Sequence, residues 1–192
     1  LYLAEKPLFT GKFVHQYLIY LDEKGQELQI HGMAMQDEMI SAVGVCGNKL
    51  QVFIFDNSSG YFEQNALENH KNALLCVDQE AEKNWDIAKM AVEAINYQNC
   101  KYDPLGVNKP NSNSVAATLC YVMGYKPMKI SGLSAPGLTK KILSEVQCES
   151  ISGKASALEV SYDDLFSAKE DYAEVAQGAL AVAGDVDSCL LM

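Results

Sequence analysis

Arginine is absent from this chain: all 15 of its cationic side chains are Lys, set against 25 acidic residues for a formal net charge of -10. Guanidinium forks grip phosphate backbones and read guanine edges bidentately, so an acidic chain without them is not built for nucleic acid. No apolar run is long enough to span a bilayer, and no basic-plus-apolar leader opens the chain. Residue 1 is Leu, so the start is read as a processing boundary, which leaves a removed leader open. There is no P-loop, no dinucleotide fingerprint, no Gly-x-Ser-x-Gly elbow and no internal repeat. No CxxC pair occurs, and the six cysteines have no zinc-like spacing with the three histidines.

What is present suits one domain with a sizeable core: 192 residues, 48% of them hydrophobic. Cys76 follows Ala73-Leu74-Leu75 and Cys120 follows Thr118-Leu119, the setting of buried thiols in a reducing compartment without disulfides.

The stretch from Lys12 to Tyr20 is rich in aromatic and β-branched residues, and Gln26 to Gly32 alternates with Leu28 and Ile30 on one face. Asp22-Glu23-Lys24-Gly25 turns between them. A three-residue loop with Gly25 left-handed pairs Asp22 with Gln26 and sets Tyr17 opposite His31, so His15, Tyr17 and His31 share a face. A four-residue loop pairing Leu21 with Gln26 would separate the histidines. Lys49 to Phe55 reads as a third strand, apolar on both faces and therefore central. Ala73 to Asp78 fits a strand or a short helix equally. His70, in Glu68-Asn69-His70-Lys71, reads as merely exposed.

From Asn84 the period is helical, with Trp85, Ala88, Val92 and Ile95 on one face, and a second short helix is expected from Gly137 to Val146. Residues 1 to 150 form the expected domain. Residues 151 to 192 read as an acidic helical appendage, since residues 155 to 192 hold eight acidic side chains and one Lys. The final Cys189-Leu190-Leu191-Met192 fits a prenylation pattern, which makes Cys189 the candidate lipidation site and the sole route to a membrane.

Between these parts lies Pro110-Asn111-Ser112-Asn113-Ser114, running directly into an apolar helix with Val115, Leu119 and Val122 on one stripe and Gly124 at its end. Ser and Asn cap helices with side-chain oxygens, and Pro110 blocks a helix from upstream, so the helix starts near residues 112 to 114. A hydroxyl in that first turn sits where unpaired N–H groups favour developing negative charge. The plainer alternative is that Ser112 and Ser114 are only caps.

A His on an early strand, a second His on its neighbour, and an Asn-nucleophile pair at a helix start about eighty residues later form an order that resembles the circularly permuted papain-like proteins. Those are the permuted NlpC/P60 and lecithin:retinol acyltransferase-like groups, whose helix typically begins Asn-Cys. The resemblance covers roughly residues 10 to 125. It implies an α+β fold, an antiparallel sheet packed on helices. It also implies Ser112 as nucleophile, His15 as base and His31 as third polar residue, with Asn111, Asn113, Ser114 and Tyr17 in support. The implied activity is hydrolysis or acyl transfer at amide, ester or thioester bonds through an acyl-enzyme, without metal or organic cofactor. Peptides, protein tails or lipid acyl groups would be the substrates. Serine in place of the family's cysteine admits two alternatives: an inactive papain-like binding protein, or an engineered Cys-to-Ser form of a thiol enzyme. An interaction module acting through the acidic tail is a third. A reducing cytoplasm is the expected location, with a secreted effector acting in another cell as the rival; oligomeric state is not set by the sequence.

Overall fold

A computed structural model describes residues 1–8, 11–41 and 44–153. The acidic tail and Cys189 lie outside the described residues. Ten elements follow in order: β1 (Tyr2–Pro7), β2 (Val14–Leu21), β3 (Glu27–Gln36), β4 (Met39–Ile40), β5 (Lys49–Phe55), α1 (Ala66–Asn69), β6 (Lys71–Leu74), α2 (Asp78–Tyr97), α3 (Ser112–Val122) and α4 (Glu145–Ile151). The fold is α+β, an antiparallel sheet with helices packed on it. Its strand order is β4-β3-β2-β1-β6, with β5 paired to β3 off that path.

The β2–β3 turn sets the register that matters. Asp22 N donates to Gln26 O at 3.0 Å, Gly25 has φ +76°, and Leu21 stands opposite Glu27. That is the three-residue loop. Counting back along the ladder puts Tyr17 across from His31, and their rings stack with centroids 4.2 Å apart.

Alternation along β2 divides the sheet's two faces. Leu18 and Tyr20 join Leu3, Ile30, Leu50 and Val52 against Trp85, Ala88, Val92 and Ile95 of α2 and Val115 and Leu119 of α3, the main core. Tyr20 stacks on Trp85 at 5.0 Å. Tyr17 and Ile19 face the other way, into a smaller cluster with Ala4 and Ala66.

Four expectations are corrected. β5 pairs with β3 alone among the named strands, so it is not central. Its outer edge is covered instead: Asn96 of α2 accepts from Val52 N at 2.7 Å and donates to Val52 O at 2.9 Å, and Leu50 N donates to Cys100 O. Helix α2 begins at Asp78, six residues before the expected start, with Asp78 and Glu80 favourably placed in its first turn. Asn84 is buried inside it, donating to Tyr125 Oη and Cys76 Sγ. Residues 137 to 144 are not helical. Ser144 and Gln147 form a reciprocal cap that starts α4 only at Glu145, and Ile151 of that helix is buried in the main core. None of the five described cysteines is in a disulfide, but Cys46 is exposed and so is not a core thiol.

Candidate active site

The start of α3 is built by asparagine. Asn111, and neither serine, is the N-cap: its Oδ1 accepts from Ser114 N at 3.1 Å, while Ser114 Oγ accepts from Asn111 N at 3.2 Å. That reciprocal box satisfies two donors that a helix start leaves open. Asn111 Nδ2 also donates to Pro104 O and Pro136 O, and Ser114 Oγ donates to Gly137 O at 3.0 Å. Two loops are thereby laced onto the helix start. Gly137 has φ +85°, and a Cβ there would fall 2.7 Å from Ser114 Oγ, so the position demands glycine twice over.

Asn113 does the work of a missing strand. The β2–β3 ladder stops at Leu18 and Ile30. Beyond it, Asn113 Oδ1 accepts from Gln16 N at 2.8 Å and Asn113 Nδ2 donates to Val14 O at 3.0 Å, bracketing His15 on the main chain. On the β3 side Ser112 packs at Gly32: a Cβ on Gly32 would lie 3.1 Å from Ser112 Cα. The helix start thus enters where the two strands part, next to both histidine-bearing positions.

The histidines form one group. His15 Nε2 and His31 Nδ1 are 3.0 Å apart, with rings tilted by only 14°. His31 Nε2 lies 3.0 Å from Gln29 Oε1. Burial, followed by the charges of Lys6 and His70, pulls the His15 imidazole down to about 4. Burial likewise holds His31 well below its ordinary range, with His15, Lys6 and His70 acting the same way. Both rings are therefore neutral at pH 7. Lys6 stands directly across the β1–β2 ladder from His15 and pairs with Glu63 at 2.5 Å.

Three participants were not read from the sequence. His70 is not a bystander: its Nδ1 lies 2.5 Å from Tyr17 Oη, the ring that stacks on His31. Burial, and then Glu63 and Glu27, push the Tyr17 phenol far up, so it stays protonated. Tyr102, ten residues before Ser112, has its phenol beside the Ser112 hydroxyl. That phenol is pushed up by burial and by Asp103, against the opposing pull of the hydroxyl. Gln29, fully buried, holds His31 and was hidden within a strand alternation.

Ser112 itself is buried in the first turn of α3. Among the described residues its side chain lies beside Tyr102, and no hydrogen bond joins it to His15. No described group of three or more His, Cys, Asp or Glu is arranged to hold a metal ion, and no described helix is long and apolar enough to cross a membrane. No family model, curated protein sequence or solved structure matches the chain.

Proposed function

We propose that the chain is a hydrolase or acyltransferase of the circularly permuted papain-like type, working on amide, ester or thioester bonds through an acyl intermediate on residue 112. Peptide-like amides are the leading substrates, such as cell-wall stem peptides or protein tails, followed by lipid esters. One observation carries the reading: Asn113 ties the helix that bears Ser112 to the main chain on both sides of His15. That tie supports the reading because it holds the start of α3 beside the backbone of His15 although α3 and β2 are far apart in sequence.

In this reading His15 takes the Oγ proton as the oxygen attacks the acyl carbon, and then hands it to the leaving group. The backbone N–H of Ser112 and the Tyr102 phenol donate to the developing oxyanion, a stabilisation whose loss typically costs on the order of 100-fold in rate. His31 holds the His15 ring in place. Water or an acceptor then releases the acyl group.

The position of Ser112 beside Tyr102, without a hydrogen bond to His15, favours a second reading, a binding protein that keeps the cleft but performs no chemistry. The two are separated by Ser112→Cys. Alkylation of the new thiol is followed against pH, with and without His15→Ala. The enzyme reading expects a thiolate formed well below the ordinary thiol value of about 8.5, and its loss without His15. An ordinary profile that ignores His15 leaves Ser112 as part of a binding cleft.

A further inference from the structure

The backbone of one loop residue reaches the candidate base through two side chains. Glu63 donates its N–H to Gln29 Oε1 at 2.9 Å and accepts from Gln29 Nε2 at 2.9 Å through its C=O. The main chain of a residue offers one N–H donor and one C=O acceptor, so this pair leaves the Gln29 amide a single orientation. The second contact of Nε2, 2.6 Å from the Glu27 carboxylate, requires the same orientation. The atom that Gln29 presents to His31 is therefore an oxygen.

An oxygen without hydrogen can only accept. His31 must then carry its proton on Nε2, and in a neutral imidazole Nδ1 becomes a lone pair. That lone pair faces His15 Nε2 at 3.0 Å, so His15 must carry its own proton on Nε2 to complete the contact. His15 Nδ1 is left with the free electron pair. Burial keeps both rings neutral near pH 7, and that neutrality is what leaves a lone pair on His31 Nδ1.

We propose that Gln29 is a positioning residue which, locked by the backbone of Glu63, fixes the tautomers of His31 and His15 and so makes Nδ1 of His15 the proton-accepting atom of the site. This deepens the acyl-transfer reading and rests on it only for the word site; the tautomers themselves do not depend on chemistry at Ser112. If the Ser112 proton moves, it moves from Oγ to His15 Nδ1. The imidazolium so formed keeps its Nε2–H pointed at His31 Nδ1, where it meets a lone pair. With the opposite amide orientation it would meet another N–H, and the cation would be opposed.

A histidine-selectively ¹⁵N-labelled full chain tests this by two-bond ¹H–¹⁵N correlations near pH 7. Both His15 and His31 are expected as Nε2–H tautomers in the unsubstituted protein. In Gln29→Met, which keeps the length of the side chain but removes its acceptor, His31 is expected to populate both tautomers and His15 to follow. A purely structural Gln29 would lower stability without moving either tautomer population. The proposal is overturned by an Nδ1–H form of His31 in the unsubstituted protein, which needs no variant to fold, or by unchanged tautomers in a folded Gln29→Met. Should both tautomers be as expected while the Ser112→Cys thiol ignores His15, the acyl-transfer reading fails and the role of Gln29 stands.

Discussion

Gly32 and Val115 touch as closely as a strand and a helix can: a Cβ on Gly32 would fall 2.6 Å from Val115 Cγ2 and 2.9 Å from its Cβ. β3 therefore lets α3 rest on bare backbone one residue from His31. Gly32→Ala must push the helix start away, an overpacking that typically costs about 2 kcal/mol. Urea unfolding is expected to give that loss. An unchanged midpoint would mean that α3 does not pack at this depth.

Asn113 supplies a donor and an acceptor that no strand supplies beside His15. Asn113→Leu leaves Gln16 N and Val14 O buried and unpaired, at roughly 1–3 kcal/mol for each orphaned group. Amide exchange at Gln16 should accelerate in that variant more than exchange at Leu18, whose ladder is intact. Equal acceleration at both would mean general destabilisation and no local rung.

Acid should destabilise the fold early. His15 and His31 have folded values below the ordinary 6.5, His15 at about 4, so the unfolded chain binds protons first as pH falls. Their contribution is complete above about 6.5 and is lost as pH falls, for His15 towards about 4, at up to about 1.4 kcal/mol per pH unit for each ring. Glu5 acts in the same direction but lower. Burial raises it, yet hydrogen bonds from Ser131, Ile130 and Gln16 win and bring it below its ordinary range, so its loss begins only below about 4.5. Unfolding free energy followed from pH 7 to 5 should slope downward, and the slope should shrink in His31→Gln. A flat profile would mean that the rings are not desolvated.

The Tyr17–His70 contact is a hydrogen bond to a neutral imidazole, which opposes protonation of that ring. Tyr17→Phe removes the hydroxyl and keeps the stack, so if the hydroxyl donates the His70 titration should move up. The shift is read from the His70 ring resonances. A downward shift would mean that the hydroxyl accepts and the ring donates.

The local signals of the site were legible. A loop of three residues ending in Gly25 fixes a register, and register fixes which side chains share a face, so the His15–Tyr17–His31 grouping follows from the turn alone. Pro110 followed by alternating Asn and Ser marks a helix start within a residue. What escaped depends on partners distant in sequence. β5 looked central because both its faces are apolar, and nothing in its residues announces that Asn96 will close its edge. β1 carries Glu5 at a buried position, where the loop N–H groups of Ile130 and Ser131 replace water. His70 sits among polar neighbours, and only the pairing of β6 with β1 brings it to Tyr17. The stretch from Gly137 offered helical spacing, but a positive φ at Gly137 and the Ser144 cap postpone the helix.

Asn96 has a consequence beyond the core it borders. An open sheet margin is a template on which another chain can polymerise, and β5, seven residues long with Ile54 exposed, has the composition for it. The carboxamide occupies both main-chain groups of Val52, the midpoint of that strand, and Leu50 N is already taken by Cys100 O. At the opposite margin β6 offers only four residues and begins with Lys71. A strand arriving from a second copy would have to evict Asn96 before forming its first central rung, so this fold resists growth into fibres at both ends of its sheet.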